Sequence, residues 1–328
     1  MKPWKIDVNV LLIFFVRDDV LEKTFESVRQ ARPRRLLLWQ DGAREGRPDD
    51  VAGIERCRKI VENIDWDCEV HKNYQTKNWG CDPSTFYSHK WAFSVVDKCI
   101  VLEDDCVPNQ SFFAYCKELL DKYENDTRIN RICGMNNLGQ WEACPDDYFF
   151  SMSGSVWGWA TWKRVADLWD ETYSCLDDSN TYYIKLLMNN PLQEGFHKYL
   201  KSARQHASTN KPHWESVQTL CKLLNSSLDI IPKYNMIRNV GVNKESTHSV
   251  ADIRLVPKKL RAVFYEQKVY ELTFPLKHPK YIIENIDYRN TLKKKSHRDI
   301  FTRIESIFRR IIFGDFKKLV KNLIRKYI

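Results

Sequence analysis

The chain has 328 residues, 43% of them hydrophobic, enough to bury a large core in one domain or in one domain with an appendage. Its 52 Lys+Arg and 43 Asp+Glu leave a net charge of +9, but residues 289–328 hold 13 of the bases and 3 of the acids, so the basic character belongs to a tail and the body is near neutral. No stretch approaches the ~20 apolar residues that span a bilayer, and no recognition motif accompanies the charge, which excludes nucleic acid as the expected partner.

Val8 to Val16 is a continuous apolar run of strand length, the pattern of a parallel strand buried on both faces. It is too short for a signal peptide and has no small-residue cleavage site after it. Leu21 to Arg32 has helical spacing through Leu21, Phe25 and Val28. Arg35 to Gln40 is a second apolar strand, closed by the turn signal Asp41-Gly42. Val51 to Ile64 is helical, Cys68 to Lys72 is a short third strand, Phe86 to Val96 is helical, and Cys99 to Leu102 is a fourth strand. Ser111 to Tyr123 is a helix, with Ser111 or Asn109 as its cap. Strands alternating with helices predict an α/β fold: a mostly parallel sheet, helices on both faces, and ligands beyond the carboxyl ends of the strands. Arg17, Asp41 and Glu103-Asp104-Asp105 are expected to gather at that edge.

The region from Ile132 to Asn243 is less regular and rich in aromatics, most densely at Trp157-Gly158-Trp159-Ala160-Thr161-Trp162. Near the end, Ile300, Ile304, Ile307, Phe308, Ile311 and Ile312 share one helical face, and Phe316, Leu319, Val320, Leu323, Ile324 and Tyr327 share another. Gly314 separates them, giving two basic amphipathic helices. Such helices lie on anionic membrane surfaces; the alternative is packing against the domain or a partner subunit. The 10 cysteines are scattered without a CxxC pair, so they read as reduced thiols of a cytosolic protein and not as disulfides or a zinc site.

Three adjacent carboxylates at a strand end repel one another, and a hard divalent cation, Mn²⁺ or Mg²⁺, relieves that repulsion. Such an ion would also neutralise charge on a departing nucleoside diphosphate. The competing reading is an acidic turn at a helix start.

Val101 to Pro108, followed by Ser111-Phe112-Phe113, resembles the metal motif of GT-A glycosyltransferases, nearest to a bacterial group described as hemolysin-like or nucleotide-diphospho-sugar transferases. Phe14-Phe15-Val16-Arg17, Trp39-Gln40-Asp41-Gly42, Asn78-Trp79-Gly80-Cys81, Trp157 to Trp162, and Asn239-Val240-Gly241 with Thr247-His248 resemble further motifs of that group, in order over roughly residues 6–250. A more distant likeness, to animal N-acetylglucosaminyltransferase I, runs through Arg17, Gln40-Asp41, Lys90-Trp91-Ala92 and the acidic triplet. The resemblance implies a GT-A domain over residues 1–254 and a basic extension over 255–328. It implies metal-assisted, inverting transfer from a nucleotide sugar, a UDP-sugar, to a glycan or lipid-linked saccharide in bacterial surface polysaccharide synthesis. The enzyme would work in the cytoplasm, peripherally on the inner face of the plasma membrane.

Residue roles follow from the same resemblance. Asp41 would accept from the nucleobase, and Arg17 would pair with the diphosphate or ribose side of the donor. Lys90, Glu103 and Asp104 would complete the donor site, Asp105 would ligate the metal, and His248 would be a second metal or phosphate contact. The Gly158-Trp159 backbone would line the donor sugar. The base is expected at Glu215, where His213-Trp214-Glu215-Ser216 stands in place of the family's Trp-Asp pair; Val217 and Gln218 depart from the pattern. The plainer alternatives are a solvated strand end for Arg17, an Asp-Gly turn for Asp41, a polar loop for His248, core packing for the tryptophans, and a helix start for Glu215. Two other functions compete. A sugar nucleotidyltransferase would carry a glycine-rich basic loop after the first strand, where this chain has Arg17-Asp18-Asp19-Val20. A non-catalytic nucleotide- or membrane-binding protein could use the same fold.

Overall fold

A computed structural model describes residues 1–189, 196–242 and 252–313. The first half follows the expected alternation. Strands β1 (Ile6–Phe14), β2 (Pro33–Gln40), β3 (Glu69–Tyr74) and β4 (Lys98–Glu103) are linked by helices α1 (Asp18–Ala31), α2 (Pro48–Val61) and α3 (Cys81–Val95). They pair in parallel in the order β3-β2-β1-β4. β1 divides the interior by its period of two. Val8, Val10, Leu12 and Phe14 enter the core on one face, and Leu11 and Ile13 enter a second core on the other. That is why its sequence is continuously apolar. Helix α4 (Gln110–Lys122) is capped by Asn109, whose side chain accepts from Phe112 N at 3.2 Å.

The second half extends the same sheet by a route the periodicity does not show. β5 (Cys106–Pro108), β6 (Ile129–Cys133), β7 (Tyr148–Ser151), β8 (Trp159–Trp162), β9 (Leu228–Pro232) and β10 (Ile237–Asn239) are all short. β8 lies antiparallel between β4 and β6, β9 runs parallel to β6, and β7 closes the edge antiparallel to β9. The eight-stranded sheet therefore reads β3-β2-β1-β4-β8-β6-β9-β7, with only β7 and β8 running against the rest. The architecture is a mixed α/β, Rossmann-like fold. β10 pairs with β5 in a separate two-stranded ribbon.

The remaining helices are α5 (Lys163–Ala166), α6 (Thr181–Asn189), α7 (Phe196–Ala207), α8 (Trp214–Leu224), α9 (Lys258–Phe264), α10 (Ile286–Ser296) and α11 (Ile300–Phe313). The segment that the sequence assigns to an extension contributes to the body. Leu276 joins the main core, Glu271 accepts from Ser111 N at 2.9 Å, and Tyr288 is fully buried against Phe149, ring to ring at 4.7 Å. α11 behaves differently: Phe301, Phe308 and Ile312 are 79%, 59% and 67% exposed. The expected second amphipathic helix, with Gly314, lies outside the described residues. No helix among the described residues is long and apolar enough to cross a membrane. All ten cysteines are free.

An aromatic stack ties the second core together. His89 of α3 packs against Trp159 of β8 and Trp214 of α8, with ring centroids 5.3 and 5.6 Å away, and the two tryptophans are 6.3 Å from each other. Burial pushes the His89 imidazole down to about 4, against the opposing bond to the Thr85 carbonyl. The folded protein thus binds fewer protons than the unfolded chain between pH 6.5 and 4, and stability falls as pH falls through that window. Urea titrations at pH 7 and pH 5 should differ by about 2 kcal/mol on this account. His89→Phe keeps the stack and should lose clearly less over the same interval; an equal loss would remove His89 as the cause.

Candidate active site at the carboxyl edge of the sheet

β1, β2 and β4 run in parallel, with Phe14 beside Gln40 and Ile13 beside Glu103. The residues that follow each strand therefore emerge on one edge. Arg17, just before α1, reaches across to the acidic triplet. Its guanidinium donates to both carboxylate oxygens of Asp104, with the Nε bond at 3.2 Å, and to Asp105 Oδ2 at 2.9 Å. Arg17 also reaches the Gly241 carbonyl at 3.5 Å. Thr24 of α1 fixes the Asp104 backbone, its hydroxyl donating to the carbonyl at 2.8 Å. Burial opposes the charge on Arg17, but Asp104 and then Asp105 more than offset it and hold the guanidinium above its ordinary value.

The far side of the cluster is built from residues that follow β9. Asn239 donates to Asp105 Oδ1 at 3.3 Å, and Val240 N donates to the Asp105 carbonyl at 2.9 Å. A Cβ at Gly241 would fall 1.9 Å from Asp105 Oδ2, so that position requires glycine. Glu103 lines a cavity of about 170 Å³ together with Phe14, Arg17, Asp41, Ser84 and Asp104. Burial, then Asp105, Asp104 and Glu215, push the Glu103 carboxyl above the usual range. Asp104 is also raised, by burial first, with Arg17 opposing and Asp105 adding to it. Three carboxylates share one guanidinium here, so the cluster stays short of positive charge.

Asp41 closes the cavity, but its oxygens are used within the chain. It accepts from Gly42 N and Trp79 N at 3.0 Å each, and from Gly80 N and Asn78 Nδ2 at 3.1 Å each. Four bonds fill the acceptor capacity of a carboxylate. Its carboxyl is raised by burial, with the backbone bonds from Trp79, Gly42 and Gly80 opposing. Asp41 thus organises the loop before α3.

Lys90 stands apart from the cluster, donating to the Trp169 carbonyl at 3.3 Å. Gly158, with φ +62°, lets Ile237 pack where a Cβ would sit 2.5 Å from its Cδ1. Trp159 is 1% exposed in an interior strand. Both are packing positions, and the neighbouring Trp157 is the aromatic that faces a cavity. That second cavity, of about 460 Å³, is lined by Arg131, Trp157, Glu215, Gln218, Lys222 and Phe264 among others. Glu215 lies exposed in the first turn of α8, where it lines this larger cavity, and its charge acts on Glu103 and Arg131. His248 lies outside the described residues.

Sequence reading missed Asn239 as a partner of Asp105, and it missed Arg131, Lys222 and Asp229. The available signal was a charge inside an apolar strand: Arg131 within Ile129–Cys133 and Asp229 within Leu228–Pro232.

Among the described residues no group of three His, Cys, Asp or Glu is arranged around a metal position. The donor set nevertheless fits a hard cation, because one carboxylate can suffice when substrate phosphate oxygens complete the coordination. Asp105, whose carboxylate Arg17 and Asn239 hold in place, is the residue that would serve.

No family profile matches the chain, and no curated protein resembles it significantly. Solved structures with related folds include 4-diphosphocytidyl-2C-methyl-D-erythritol synthase from Anaerococcus prevotii (TM-score 0.31, 11% identity, covering 55% of this chain and 84% of that one). An apo UDP-glucose pyrophosphorylase aligns with TM-score 0.37 and 8% identity over 71% of this chain and 93% of its own. The inositol-1-phosphate CTP transferase from T. maritima aligns with TM-score 0.32 and 12% identity over 53% of this chain and 78% of its own. Likeness at this level has no weight for activity.

Removing Arg17 leaves buried carboxylates without their counter-charge. Arg17→Gln should lower stability by roughly 3 kcal/mol at pH 7. Part of that loss should be recovered at pH 5, where the acids can protonate. Urea denaturation at both pH values measures this, and a loss below about 1 kcal/mol would mean that water, not Arg17, compensates the cluster.

Proposed function

We propose that the chain is a glycosyltransferase of the GT-A type that moves a sugar from a nucleotide-sugar donor, a UDP-sugar, to a saccharide acceptor. The observation that carries this reading is a pair of cavities, the smaller lined by Glu103 and the larger by Glu215, whose charge acts on Glu103. One sits on an acidic cluster at a sheet edge where nucleotides bind in α/β folds; the other is large enough for a sugar and bears an aromatic wall.

The donor would occupy the smaller cavity, its diphosphate beside Arg17 and its sugar toward Glu215. Glu215 is suited to take the proton from an acceptor hydroxyl, since its exposed first-turn position lines the larger cavity. The acceptor oxygen then forms a bond to the anomeric carbon while the bond to the nucleoside diphosphate breaks. The electron pair leaves on phosphate oxygen, near Arg17, and attack from the face opposite the leaving group inverts the anomeric centre. A divalent cation held by Asp105 would supply further neutralisation of that leaving charge. Asp104 acts through Arg17, holding the guanidinium in place.

Location is part of the same proposal. The exposed apolar face of α11 and the bases Arg298, Arg303 and Arg310 around it suit an anionic bilayer surface, where a lipid-linked acceptor would be found. A UDP-glucose pyrophosphorylase or CTP transferase, as two of the aligned structures are named, is the competing chemistry. The turn after β1, Arg17-Asp18-Asp19-Val20, lacks the glycines expected for it.

The products separate the two readings. With Mn²⁺ and a panel of nucleotide sugars, the chain should release nucleoside diphosphate slowly even without acceptor, and release no pyrophosphate from nucleoside triphosphate with sugar phosphate. The matching nucleoside diphosphate, at about 100 times its Kd, should stabilise the fold by about 2.7 kcal/mol in a Mn²⁺-dependent way. Asp105→Asn should abolish that response. Pyrophosphate release, or no response to any nucleotide, would overturn the proposal. In vesicle sedimentation the full chain should bind phosphatidylserine-containing vesicles and not neutral ones. Phe301→Asp with Phe308→Asp should release it, and binding that persists in this double variant would rule α11 out as the contact.

A further inference from the structure

The larger cavity has a floor that the transfer chemistry does not use. Asp229 of β9 is fully buried and accepts at Oδ2 from two cations at once, Arg131 at 2.9 Å and Lys222 at 2.7 Å. Asn130 donates to its other oxygen at 2.9 Å. The remaining partners of the two cations are neutral: Gln218 Oε1 at 2.6 Å and the Gly154 carbonyl at 3.4 Å for Arg131, and the Met152 carbonyl at 2.7 Å for Lys222. One carboxylate therefore faces two buried positive charges. The neighbouring Arg289, a third cation in the lining, is paired with Glu284 at 3.1 Å and so does not add to the surplus. Glu215 is the remaining acid of the lining, and it lies exposed in the first turn of α8.

A buried surplus charge is expensive unless something compensates it. Two buried donors on the same wall also lack partners among the described residues: Arg131 Nε and Gln218 Nε2. Gln218 is 2% exposed, and its carbonyl oxygen is turned to Arg131, which leaves its amide N–H groups unsatisfied. Burial pulls Lys222 below its ordinary value, with Asp229 opposing. Above this floor stand Trp157 and Phe264, with ring centroids 6.1 Å apart, an apolar wall of the kind that stacks on a pyranose.

We infer that the 460 Å³ cavity is the acceptor site and that it selects a saccharide carrying an anionic group, a carboxylate or a phosphate, which completes the Arg131–Lys222–Asp229 cluster. This rests on the transferase reading of Glu215. The anion would take the unmet donors at the floor, the ring would lie on Trp157, and a hydroxyl on the opposite side would face Glu215. Charge at the two ends of the cavity thus orients the acceptor: its anion is drawn to the arginine and lysine and repelled by Glu215.

Calorimetry on the full chain with methyl β-glucuronide, glucose 1-phosphate, inorganic phosphate and the neutral methyl β-glucoside tests this. At least one of the two charged sugars should bind roughly tenfold tighter than the neutral one, with affinity falling as salt is raised. Which of the two it is separates a carboxylate from a phosphate acceptor. Gln218→Glu places the missing anion inside the protein. It should bring the charged sugars down to the level of the neutral one while the urea midpoint holds or rises. Equal affinity of charged and neutral sugars in the wild type, inorganic phosphate binding as tightly as glucose 1-phosphate, or a preference that survives Gln218→Glu would each overturn the inference. If the wild type still responds to nucleotide and Mn²⁺ in those cases, the transferase reading stands and only the acceptor class is lost. If the nucleotide response is missing, the transferase reading itself has failed.

Discussion

Charge at the end of β4 constrains the rest of this molecule. Glu103, Asp104 and Asp105 leave the sheet consecutively where little water reaches them, and mutual repulsion alone would disfavour that backbone path. Arg17 compensates two of them directly, so the turn after β1 must deliver its guanidinium to the turn after β4. β1 and β4 are adjacent and parallel, which sets the distance. Thr24 then fixes the Asp104 carbonyl from α1, and Asn239 holds Asp105 from the far side. Sheet order, helix placement and ribbon pairing all serve one electrostatic requirement, and the deficit left at Glu103 is what a substrate or cation can exploit.

The aromatic stack of the second core does comparable work beside the larger cavity. Trp159, His89 and Trp214 join β8, α3 and α8 into one block. Glu215 follows Trp214 directly, so its position in the wall of the larger cavity is set by a buried ring. This also explains why tryptophans suited to sugar stacking are mostly core: β8 lies between two strands and offers no open face, and only Trp157, just before it, is placed to meet a ligand. α9 and α10 close the same cavity through Phe264 and Arg289.

The parallel half was readable because its strands are buried on both sides. Val8 to Val16 and Cys99 to Leu102 are unbroken apolar runs, and each is followed by helical spacing. Arg17 and the triplet could be placed together from topology alone. The antiparallel half was not readable in this way. β8 and β10 have four and three residues, too few for a period to emerge, and their partners lie up to 133 positions away. The internal bonds of Asp41 were not legible for a local reason: nothing in Asp41-Gly42 announces that the loop 78–80 will return to use both of its oxygens. The paired cations on Asp229 were visible only as isolated charges in apolar strands, a pattern with several possible causes.

The ribbon between β5 and β10 has a consequence for how the protein is made. Cys106 meets Asn239, and Pro108 meets Ile237, directly beside the acidic triplet. The triplet's outer contacts therefore close a loop of more than a hundred residues, and contacts of that sequence separation form late because chain closure must precede them. On a ribosome, β1 to β4 can pair well before residue 239 emerges, so the sheet precedes the pocket. A nascent or truncated chain with its parallel strands in place would be folded in outline and would still lack Asn239 and Gly241 against the acidic triplet, so the pocket is completed only after β10 has been made.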